Sequence, residues 1–98
     1  MALRFVPTDH ALRRFAERYP DLDALNVHEQ RQVLLAELER GVPYGVQFGR
    51  DVLYLLPCGD VAAVVWDRGY WFVKTVLTRE HAIASMQAMV RHRRHTRN

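Results

Sequence analysis

Cysteine is nearly absent: Cys58 is the only one, which excludes an intramolecular disulfide and a cysteine-based zinc site. Lysine is equally scarce, with Lys74 alone against 13 arginines. No apolar run approaches the ~18 residues that a membrane span needs. The opening Met-Ala-Leu-Arg-Phe-Val-Pro has neither the apolar stretch nor the small-residue cleavage site of a secretion signal. Also missing are a glycine-rich phosphate loop, a His-Glu-x-x-His helix, an EF-hand and a Gly-x-Ser-x-Gly elbow. No histidine pair at i, i+4 stands beside a carboxylate, so metal-dependent hydrolysis is disfavoured and no cofactor is expected. These absences together describe a small cytoplasmic protein with no membrane partner.

What is present fits one globular unit. The chain has 98 residues, 49% of them apolar and 26% charged, enough for a modest core without staples. Its formal charge of +3 is unevenly placed. Residues 91–98 hold four arginines and no acid, which leaves 10 basic against 11 acidic residues over positions 1–90. The division expected is therefore a single domain over 1–90 and a basic tail over 91–98. Arg91, Arg93 and Arg94 are candidate phosphate contacts. The plainer alternative is the solvated end of a helix.

Hydropathy period gives the elements. Thr8 caps a helix from Asp9 to about Tyr19, with Leu12, Phe15, Ala16 and Tyr19 as its buried stripe and Pro20 as its stop. A second helix starts at Asn26, where Glu29 completes a capping box. Val27, Leu34, Leu35 and Leu38 form its buried face, and Gly41 and Pro43 close it. Tyr44–Phe48, Val52–Leu56, Val61–Trp66 and Tyr70–Leu77 carry the β-branched and aromatic composition of strands. Thr78 then caps a last helix over roughly Arg79–Arg91, burying Ala82, Ile83, Met86, Met89 and Val90. The expected class is α+β: two N-terminal helices, a three- to four-stranded antiparallel sheet, and a C-terminal helix, with the helices on one face.

Two places hold residues suited to chemistry. His10 lies in the first turn of helix one, with Arg14 four residues on and Arg13 and Arg18 on the same polar face. An imidazole that titrates near neutrality beside a phosphate-holding arginine is what metal-free RNA cleavage requires: a base for the 2′-hydroxyl and cations for the phosphorane. The competing reading is a histidine on an ordinary solvated face. The second place is Lys74-Thr75, where the last strand approaches the last helix. Strict alternation puts Thr75 with Trp71, Val73 and Leu77, and Lys74 with Tyr70, Phe72 and Val76. Lys74 reads either as an electrostatic group on an open sheet face or as a snorkelling strand lysine. Seven of the ten aromatics fall between Tyr44 and Phe72. A sheet that exposes such rings stacks bases, and one that buries them has merely built a core.

Two segments resemble a known family. Thr-Asp-His-Ala-Leu-Arg-Arg-Phe-Ala-Glu-Arg-Tyr at 8–19 is similar to the opening His-Ala-x-x-Arg helix of small domains in the BECR superfamily, which groups barnase, EndoU, colicin D and RelE-like ribonucleases. Lys-Thr-Val-Leu-Thr-Arg-Glu-His-Ala at 74–82 resembles the strand-to-helix segment of phage and bacterial members. The resemblance implies a metal-independent endoribonuclease, with His10, Arg14 and Thr75 as the residues carried over; Lys74 joins them from the reading above. Two features depart from the pattern: no second histidine lies on a strand, and the body is nearly neutral. They point to an alternative, a non-catalytic interaction protein such as a phage-encoded inhibitor of a host defence protein. The partner is then RNA or a host protein.

Overall fold

A computed structural model describes residues 4–47 and 51–95. The order is β1 (Phe5–Pro7), α1 (Asp9–Arg18), a 3-10 turn (Pro20–Ala24), α2 (Val27–Glu39), β2 (Val42–Gln47), β3 (Asp51–Leu55), β4 (Val61–Asp67), β5 (Tyr70–Leu77) and α3 (Arg79–His95). The strands form one five-stranded sheet in the order β1-β5-β4-β3-β2. The α+β class stands, with α1 and α2 N-terminal and α3 C-terminal. The sheet is larger than expected and mixed, because β1 runs parallel to β5 and pairs Phe5 with Trp71 and Pro7 with Val73.

Local chemistry accounts for the element ends. The Thr8 hydroxyl accepts from the Ala11 amide at 3.2 Å, satisfying one orphan N–H of α1. Asn26 and Glu29 bond reciprocally across the first turn of α2, at 2.9 and 3.1 Å. Thr78 accepts from the His81 amide at 2.9 Å. The β4–β5 hairpin closes on the pair Asp67 and Tyr70, with Arg68 and Gly69 both at positive φ. That is a two-residue turn whose twist matches the flanking strands.

The helices do not share one face. Ala11, Leu12 and Phe15 of α1 and Leu34 and Leu38 of α2 cluster with Phe5, Tyr54, Leu56, Ala62, Val64, Val73 and Val76. Ala82, with Met86 packed against it, instead joins Leu53, Val61 and Ala63, which are strand residues of the opposite parity. The sheet therefore lies between α1/α2 and α3. Small side chains permit this: a Cβ at Gly45 would stand 2.6 Å from the Met86 sulfur, so α3 sits close over β2.

Two further expectations change. Val27, assigned to the buried face of α2, is 58% exposed, because the first residue after the cap points away from the sheet. The last helix runs on to His95 and so takes in much of the basic tail. The side chains of Met89, Val90, Arg91, Arg93 and Arg94 lie outside the described residues, as does Phe48.

Candidate functional site

The site begins with an irregularity in β5. Ala63 of β4 pairs with Thr75 and Val64 pairs with Val73, so Lys74 is an extra residue with no partner on β4. Such a bulge breaks the alternation of side chains and re-aims the residues beside it. Before it, Trp71 and Val73 face α1 and α2, leaving Tyr70 and Phe72 on the other face; after it, Val76 faces the helices and Leu77 the α3 side. Strict alternation separates Lys74 from Thr75. The bulge brings both onto the face that carries α3, because Thr75 lies opposite Ala63 of the α3 cluster.

On that face α3 packs over Leu53, Val61 and Ala63, and among the described residues the half toward β1 and β5 is left open. Across the open half, Val6, Phe72 and Val65 form one row. Tyr70, 39% exposed, lies beside Phe72 with ring centroids 6.3 Å apart. The Arg4 guanidinium stands 5.9 Å from the Tyr70 ring centroid, a cation–π distance. At the far end Lys74 reaches across β4 and bonds Asp51 Oδ2 at 2.9 Å. Asp51 is 7% exposed and is the one buried charged residue among those described. Arg4, Tyr70, Phe72, Lys74 and Thr75 thus share one surface, with Asp51 beneath it.

His10 and Arg14 stand elsewhere. Both are exposed on α1, whose apolar side covers the opposite face of the sheet, so the sheet separates them from the Lys74 ammonium. The Thr8 hydroxyl does tie the start of α1 to β5, donating to the Val73 carbonyl at 2.8 Å. The α1 cations are largely committed. Arg14 pairs with Glu17 at 3.3 Å and Arg18 with Asp60 at 3.8 Å. Arg13 lines an open groove of about 430 Å³ between α1 and α2, together with Asp9, Leu12, Ala16, Val27 and Gln30.

A second polar cluster closes the end of α1. The Tyr19 hydroxyl donates to Asp60 at 3.2 Å, and the Cys58 amide donates to Glu37 at 3.1 Å. Burial, the Cys58 contact and the negative charge of Asp60 push the Tyr19 phenol well above its ordinary range. Desolvation at the sulfur also raises the Cys58 thiol, the opposite of what a reactive cysteine needs. This cluster joins the end of α1, α2 and the β3–β4 connection. No group of three or more His, Cys, Asp or Glu side chains suited to a metal ion occurs among the described residues. No described helix is long and apolar enough to cross a membrane.

Sequence reasoning named Lys74 and Thr75 but not Arg4 or Asp51. The signal for the open face was there in Tyr70, Phe72 and Lys74 at i, i+2, i+4. The signal for Asp51 was a lone carboxylate opening an apolar strand. No protein-family model matches the chain, and neither a curated protein nor a solved structure matches it.

Proposed function

We propose that this is an RNA-directed, ribonuclease-like domain that meets single-stranded RNA on the open half of its sheet. The observation that carries this reading is the placement of Tyr70, Phe72 and Lys74 on one open face. Tyr70 is exposed and Phe72 is half-buried beside it, and sheet modules that present aromatic rings to solvent stack bases on them. Arg4 at one end and Lys74 at the other are within reach of phosphates, and Thr75 offers a hydroxyl. The lone Cys58 fits a reducing, cytoplasmic setting. Cleavage led by His10 would need that imidazole on the same surface as Lys74, so the proposal rests on binding at the sheet and assigns His10 no part in it. The test is fluorescence anisotropy of a labelled 15-mer oligo(U) in EDTA. Binding is expected, and Tyr70→Ala should weaken it about tenfold, as loss of one stacked base does. Equal affinity for wild type and Tyr70→Ala overturns the reading.

A second reading, a non-catalytic inhibitor that docks on a host protein, is favoured by the cations already held in ion pairs and by the exposed Trp66. Rings of this kind with flanking arginines are typical anchors of protein interfaces. Pull-down from host lysate should then recover one stoichiometric protein, retained at high salt. Recovery of nucleic acid alone, lost as salt rises, counts against it.

A further inference from the structure

We infer that Asp51 is a positioning residue, fixing the Lys74 ammonium so that its free N–H donors face an RNA phosphate. This inference rests on the RNA reading and deepens it. The Lys74 side chain is 52% exposed and that of Asp51 10%, so the pair spans from solvent to the buried floor of the face. An ammonium has three N–H donors. One goes to Asp51 at 2.9 Å, and the other two meet no acceptor among the described residues and are open to a ligand on the solvent side. Without a partner, a lysine on four rotatable bonds sweeps a wide volume and loses that freedom on binding. Alternation from Phe72 puts Lys74 on the open face, and its ammonium crosses the width of β4 to reach Asp51. A phosphate that drew the ammonium away would strand a buried carboxylate. The ligand is therefore held with the ion pair intact.

A double-mutant cycle on oligo(U) affinity tests this. Lys74→Met should weaken binding about tenfold and flatten the dependence of log K on log salt by about 0.7, the value for one phosphate contact on a single strand. Asp51→Asn should weaken binding about fivefold when Lys74 is present and have no effect beside Lys74→Met, because coupled residues lose additivity. If Asp51→Asn tightens binding, the carboxylate is only a counter-charge and the inference is overturned. An equal effect of Asp51→Asn in both backgrounds marks a structural role and overturns it too. Should Asp51→Asn fail to fold, the salt slope of Lys74→Met still decides: an unchanged slope and affinity mean that the ammonium holds no phosphate. If Tyr70→Ala and wild type both fail to bind oligo(U), the RNA reading itself falls and takes this inference with it.

Discussion

The Thr8 hydroxyl lies 2.8 Å from the Val73 carbonyl, 65 positions away in sequence, and also accepts from the Ala11 amide. One side chain thus caps α1 and pins it to β5 immediately before the bulge. The Thr8 amide donates to the same Val73 carbonyl at 3.2 Å, so β1, α1 and β5 meet at a single point. Thr8→Ala should cost about 1–2 kcal/mol of stability, the upper part of the range for a lost N-cap. Thr8→Ser should recover most of it. Urea denaturation of the three proteins checks the order.

Packing of α3 against the far side of the sheet makes its own prediction. Gly45→Ala drives a methyl group toward the Met86 sulfur and should destabilise by about 1–3 kcal/mol, as overpacking does. Met86→Ala alone leaves a partial void. The double variant should be more stable than the two single losses added together, a coupling that thermal melts of all four proteins measure. Were α3 on the other face, the two substitutions would simply add.

Much of the framework was legible in the sequence, because it is decided by neighbours along the chain. Thr8, Asn26 with Glu29, and Thr78 cap the helices where capping chemistry puts them. The runs 52–56, 61–66 and 70–77 appear as the antiparallel core of the sheet. What was not legible depends on contacts distant in sequence. β1 has three residues, too few to show a period, and exists because β5 offers it an edge. Hydropathy names Ala82 and Met86 as buried but does not say on which side of the sheet. The bulge at Lys74 leaves no mark in a run of apolar residues, yet it decides which residues share a surface. For that reason Lys74 and Thr75 are found together, whereas His10 and Arg14 stand apart because α1 packs on the other face of the sheet.

The exposed position of Val27 gives a contrast with Leu34 on the same helix. Val27→Ser should change stability by no more than about 0.5 kcal/mol, whereas Leu34→Ala should cost about 2–5 kcal/mol. Leu34 is fully buried, and the two melts together check the orientation of α2.

Tyr19 sets a limit on stability at high pH. Its folded pKa is raised above the unfolded value of about 10, so the stabilisation is complete below that pH. It is lost as pH rises, because the unfolded chain ionises while the folded phenol does not. Tyr19→Phe loses the bond to Asp60 and should cost about 1 kcal/mol at pH 8. The gap between wild type and Tyr19→Phe should narrow above about pH 10. Denaturation midpoints at pH 8 and pH 11 give the sign directly.

The most direct measurement of the central claim is photocrosslinking of oligo(U) containing 4-thiouridine, followed by tryptic digestion and mass spectrometry. Cleavage after Arg68 and Lys74 releases Gly69–Lys74, which carries Tyr70 and Phe72, and cleavage after Arg4 and Arg13 releases Phe5–Arg13, which carries His10. RNA lying on the open half of the sheet places its crosslinks in Gly69–Lys74, and Tyr70→Ala removes most of them. Crosslinks in Phe5–Arg13 that fragment ions place at Asp9–Arg13 of α1 and not at Val6, with none in Gly69–Lys74, would put the RNA on α1 and contradict the account.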